Sequence, residues 1–216
     1  MSLAEERGFS LIELLVVIAI IAIMSVIAIM SFSKGKELYK TDDQSLKLVD
    51  MLQEARFRAL SQREVMRVEI NMTINQVRII DENEPDTEED DAVIRTMYLL
   101  PQTDVKLNAP PVGFSATPPT PITCSNIQFA SSNHRLSSGN NVAVFRFNML
   151  GQVLNAGDSP TGDNAAVASS IITLWPPKKN DPTKAEANSL IRAITVLGNA
   201  GAIQYWKYNG TEYVVN

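Results

Sequence analysis

Glu13 is the one ionisable side chain between Leu11 and Phe32; apart from it, only Ser25 and Ser31 in that stretch are not apolar. A carboxylate beside hydrocarbon is costly unless it finds a cationic partner, so Glu13 reads as a functional group rather than as filler. The other chemistry-bearing residues carry weaker signals. The run Asp81 to Asp91 is rich in oxygen ligands. It lacks the ligand spacing and central glycine of an EF-hand loop, so a solvated loop between strands is expected and Ca²⁺ binding stays open. His134 is the only histidine and shows no second metal ligand or nucleophile pairing, which predicts a surface position. Cys124 is the only cysteine, which excludes an internal disulfide and a thiolate metal cage and predicts a small core residue. Trp206 with Tyr205 and Tyr208 offers either an exposed stacking surface or, as in most sheets, core packing. The chain has no glycine-rich phosphate loop, no G-x-S-x-G and no H-E-x-x-H. Neither an enzyme nor a cofactor or metal site is expected.

The element that must position Glu13 is the apolar run itself. About 20 helical residues cross the hydrocarbon of a bilayer, and Leu11 to Phe32 is of that length. Ala19, Ala22 and Ala28 never fall at the A-x-A spacing of a signal-peptide cleavage site, so a permanent membrane helix is expected. Arg7 precedes the run beside Glu5 and Glu6, whereas Lys34, Lys36 and Lys40 follow it. By that count alone, the C-terminal side would be cytoplasmic. All 11 prolines lie at or after Pro85, and Gly35 is the one glycine between Gly8 and that proline. The helix is therefore expected to run on to Gln62, roughly 80 Å from Phe9 at about 1.5 Å per residue. Past the apolar half, Leu38, Val49, Leu52, Ala55, Ala59 and Leu60 recur near helical spacing, with Leu48 beside them. Asp42, Asp43, Lys47, Asp50 and Glu54 are read onto the opposite face.

From Val65 the pattern changes to short alternating runs. Met66, Val68 and Ile70 alternate with Arg67 and Glu69, as in a half-buried strand. Further candidate strands are 77–80, 92–100, 127–130, 142–147, 170–175, 190–197 and 202–208, and Asn209-Gly210 marks a hairpin before Tyr213-Val214-Val215. Stretches 110–121, 157–164 and 176–188 read as loops. The resulting class is α+β, one long N-terminal helix packed on an antiparallel sheet. A net charge of -5 argues against broad attraction to nucleic acid.

The residues Arg7-Gly8-Phe9-Ser10-Leu11-Ile12-Glu13-Leu14-Leu15-Val16-Val17-Ile18 closely resemble the N-terminal signature of type IV prepilins and pseudopilins. The resemblance implies a type IV pilin-like fold with a leader over 1–8. Prepilin peptidase would cut between Gly8 and Phe9 on the cytoplasmic side and methylate the new amine of Phe9. Glu13 becomes the fifth mature residue. In the family its carboxylate pairs with the terminal ammonium of a neighbouring subunit and sets register. The implied layout is a transmembrane and filament-core segment 9–33, an amphipathic half-helix 34–62 and a periplasmic or extracellular domain 63–216. This overrides the charge count for orientation, giving a single-pass inner-membrane protein that later enters a pilus or pseudopilus. The implied partners are prepilin peptidase, other major and minor pilins or pseudopilins, the inner-membrane assembly platform and the lipid bilayer. The chain departs from many major pilins by having Ser25 and Met30, and no proline, in the middle of the apolar half. Within the class, Leu52 to Ala59, Val65 to Ile70, Phe147 to Gln152 and Ile191 to Val196 resemble the GspH/FimT group of minor pilins and pseudopilins. The alternative is a DNA-binding minor pilin of a competence pilus, which requires a basic stripe. The stretch 190–216 supplies only Arg192 and Lys207, opposed by Glu212.

Overall fold

The computed structural model describes residues 10–82, 91–154 and 166–215, without the side chains of 26–38 and 108. The chain divides into two compact units, Met1–Tyr39 and Lys40–Asn216. Helix α1, Leu11–Gln62, has 52 residues and contributes to both. The stretch has no proline and few β-branched residues after Ile29, so nothing in it opposes the helical ladder. In the first unit every described side chain from Leu11 to Ser25 is exposed. Among the described residues no helix is long and apolar enough to cross a membrane. The expected span over 9–33 extends past Ser25 into the side chains that lie outside the described set, and the described part alone falls short of about 20 residues.

The second unit carries two sheets where the alternating pattern predicts one. The first is built from β1 (Val65–Asn71), β2 (Gln76–Glu82), β3 (Ala92–Tyr98), β6 (Ala130–Ser131), β7 (Asn141–Phe147) and β8 (Val153–Leu154). Its order is β3-β2-β1-β7-β6, with β8 also on β7. The second contains β4 (Lys106–Asn108), β5 (Ser125–Asn126), β9 (Ser170–Trp175), β12 (Arg192–Leu197), β13 (Ala202–Tyr208) and β14 (Tyr213–Val215). Its order is β14-β13-β12-β9-β4, and β5 lies parallel to β9, the one parallel pair among the described strands. A small hairpin of β10 (Pro177–Lys178) and β11 (Asp181–Ala185) stands where a loop is expected. The run 127–130 is strand only at Ala130.

One core joins the inner faces of both sheets to α1. Leu48, Met51, Leu52, Ala55 and Ala59 from the helix meet Met66, Val68 and Ile70 of β1, Phe145 and Phe147 of β7, and Ile194 and Val196 of β12. The helical stripe is thus as expected at Leu52, Ala55 and Ala59, but Leu60 is exposed. A smaller cluster lies on the other face of the second sheet, where Ile171, Trp175, Ala193 and Trp206 are covered by Phe114, Ala116 and Cys124 from the proline-rich connection. Trp206, Tyr205 and Tyr208 are therefore packing residues, and Trp206 Nε1 donates to Thr195 Oγ1 at 2.9 Å.

The reading of β1 as half-buried is corrected. Arg67 and Glu69 are fully buried, as are Met66, Val68 and Ile70. The segment 132–140 folds over the outer face of the first sheet, and this covering is invisible to a period-2 pattern. His134 is corrected in the same way, from surface to fully buried. The acidic run is divided: Asp81 and Glu82 belong to β2, Asp91 is buried, and 83–90 lie outside the described residues.

Candidate functional site

Gly8 and Phe9, the expected processing residues, lie outside the described residues. The described site begins at Ser10. The Glu13 N–H donates to Ser10 Oγ at 3.2 Å and to Ser10 O at 3.1 Å, and the Leu14 N–H donates to Ser10 O at 3.2 Å. Ser10 is thus the N-cap of α1, and its hydroxyl satisfies one of the backbone donors that every helix start leaves unpaired. Ser10-Leu11-Ile12-Glu13 has the S-x-x-E spacing of a capping box, a signal that the charge-in-lipid reading of Glu13 passes over. The cap places the Glu13 carboxylate in the first helical turn, where the helix dipole favours an anion. That carboxylate is exposed, followed by an apolar surface on which Leu11 is 82% and Met24 66% exposed. Such a site can pair with a cation while its helix lies against apolar surface.

Residues 4–29 match the family model of the prokaryotic N-terminal methylation motif. The chain carries a prepilin-type motif. The match supports a type IV pilin-like subunit that prepilin peptidase processes, that assembles with other pilins and that is anchored at the inner membrane. No curated protein and no solved structure matches the chain.

Downstream of the prepilin-type motif, two charged clusters hold the second unit together, and sequence spacing revealed neither. On the outer face of the first sheet, Arg67 pairs with Glu82 and, at 2.9 Å, with Asp91, while Arg146 Nε donates to Glu82 Oε2 at 2.8 Å. His134 lies between the two guanidinium groups, Nδ1 3.4 Å from Arg67 and Nε2 3.2 Å from Arg146. Ser137 donates to Glu69 Oε2 at 2.7 Å and fixes the covering segment. This network is closed to solvent, so it holds structure and offers no substrate an approach. Among the described residues no cluster of histidine, cysteine and carboxylate could hold a metal.

The second cluster joins α1 to the second sheet. Asp42 accepts from Arg192 Nε and from the Tyr205 hydroxyl at 2.8 Å, and Lys207 Nζ stands 3.6 Å away. Asp42 was expected on the solvent side of the helix; the structure turns it toward the sheet because a nearly buried guanidinium waits there. Burial, the largest single influence, pushes the Asp42 carboxyl up. The Arg192 and Tyr205 hydrogen bonds, with the charges of Arg192 and Lys207, outweigh it and hold the group below the ordinary carboxylate range. The Tyr205 hydroxyl is pushed up, by burial first and by the Asp42 carboxylate second.

Proposed function

We propose that the chain is a minor pilin or pseudopilin of the GspH/FimT type, a structural subunit and not an enzyme. It is cut between Gly8 and Phe9, N-methylated on Phe9 and co-assembled into, or at the tip of, a type IV pilus or a type II secretion pseudopilus. Its helix over 9–33 serves first as a single membrane span, with the N-terminus cytoplasmic and the domain 63–216 on the far side, and later as filament core. Glu13 pairs there with the ammonium of a neighbouring subunit. Two opposite charges are tolerable in an apolar setting where one is not, and the pair fixes axial register.

The observation that carries this reading is the methylation motif over residues 4–29. A capped, exposed Glu13 on an exposed apolar helix supports it. The DNA-receptor alternative loses ground in the domain. Arg192 is 3% exposed and committed to Asp42, and Lys207 stands at the same carboxylate, so 190–216 presents no free basic stripe.

Glu13→Ala tests the assembly role. Cleavage and methylation, read by mass spectrometry of the mature N-terminus, are expected to be unchanged, while the variant disappears from sheared filaments. Wild-type incorporation of the alanine variant would sink the pairing idea, and an unmethylated or uncut Phe9 in the wild-type chain would sink the processing reading.

A further inference from the structure

The domain-bound part of α1 changes character along its length. From Leu48 onward its fully buried side chains are Leu48, Met51, Leu52, Ala55 and Ala59. Before Leu48 the buried ones among the described side chains are Thr41, Gln44 and Ser45. Polar side chains gain little from leaving water, so this first stretch is not held by the hydrophobic effect that holds the rest. Its hydrogen bonding is also uneven. Gln44 Oε1 accepts from the Leu100 N–H at 2.8 Å, yet Gln44 Nε2 is buried without a partner. The Ser45 hydroxyl donates to Thr41 O at 2.7 Å, a back-bond that competes with the helix's own ladder.

Among the described contacts, ion pairs also fasten this stretch. Lys40 pairs with Asp104 at 3.0 Å, with both groups partly exposed and hence weakly bound. The Asp42 group is the stronger tie. Arg192 also donates to Ser189 O at 2.7 Å and Ile191 O at 3.0 Å, which aims its Nε at the helix. Asp42 is its carboxylate partner among the described residues.

We propose that Asp42 is a latch that holds the stretch 40–47 against the second sheet and whose release frees that stretch while the rest of the domain stays folded. Regions with few apolar contacts open locally at a free energy below that of global unfolding, and a polar first stretch followed by an apolar one has that profile. The latch itself needs no filament. Its use does rest on the proposed function: a pull applied through the N-terminal helix reaches 40–47 before it reaches the apolar anchor that starts at Leu48.

The test is amide hydrogen exchange, followed by mass spectrometry, on the full chain in detergent micelles. Asp42→Asn is expected to speed exchange over 40–47 by tenfold or more and to leave β1 and β7 at wild-type rates. Tyr205→Phe, which removes one donor and keeps the charge pair, is expected to give a smaller rise confined to the same residues. Unchanged exchange over 40–47 in both variants overturns the latch. So does a rise shared equally by β1 and β7, or an Asp42→Asn chain that fails to fold, because each would make Asp42 a global support. Because the readout is independent of filament assembly, the latch and the pilin reading can fail separately.

Discussion

At the scale of single residues, Asp42, Arg67 and Glu82 are charges drawn out of water whose partners neutralise them. Asp42 has a consequence for pH. Its folded carboxyl titrates below the ordinary value of 3.8. A group depressed on folding binds its proton more readily in the unfolded chain, so its stabilisation is fully present above that ordinary value and is lost as pH falls through the depressed one. Acid titration of the domain, followed by circular dichroism, is therefore expected to show wild type more stable than Asp42→Asn at neutral pH, with the two curves converging as pH falls through the depressed carboxyl value. A constant gap down to the most acidic point would contradict the assignment. Arg67 is a harsher case, being fully buried and shared by Glu82 and Asp91. Truncating one partner strands the others, so Arg67→Ala is expected to cost about 3–5 kcal/mol in urea unfolding. A loss below about 1 kcal/mol would mean the carboxylates find water instead.

At the scale of elements, α1 is tied down at both ends of its domain-bound half. Near its C-terminal end, Arg95 of β3 reaches Glu54 and, at 2.9 Å, Asp50, and Arg56 donates to Ala200 O at 2.9 Å. The turns 148–151 and 198–201 meet closely: Gly201 has φ +59, and a Cβ there would sit 1.8 Å from Gly151 O. Gly201→Ala is expected to lower stability by more than about 2 kcal/mol through strain and a backbone clash, read as a drop in Tm. A neutral result would show that the two turns can separate. At the N-terminus of α1, in the first unit, Ser10→Ala removes the N-cap and is expected to cost about 1 kcal/mol of local helix stability. Faster amide exchange over the first turn of α1, with no change in the sheets, is the matching observation.

At the scale of the whole molecule, two units follow two different patterns, and the patterns explain what was readable. The N-terminal methylation motif, the helix and most strands were legible because they are local: the motif lies within residues 4–29, and β7, β9 and β13 alternate or run apolar over their whole length. The run of α1 through Gln62 follows from the lack of proline and the single glycine Gly35. The second sheet, the β10–β11 hairpin and the covering segment over β1 were not legible, because each depends on residues distant in the chain meeting in space. His134 is the clearest instance. It read as a solvent-facing residue, and it is buried because Arg67, Arg146 and Glu82 arrive from three strands, β1, β7 and β2. Asp42 turned inward for the same reason, drawn by Arg192 and Tyr205, both more than a hundred residues away in sequence. Spacing and periodicity act within one or two turns of chain, so residue order alone was enough for the N-terminal motif, the long helix and most strands. Which charges are buried and paired was set in three dimensions, because a charge leaves water only when the fold carries its partner to it.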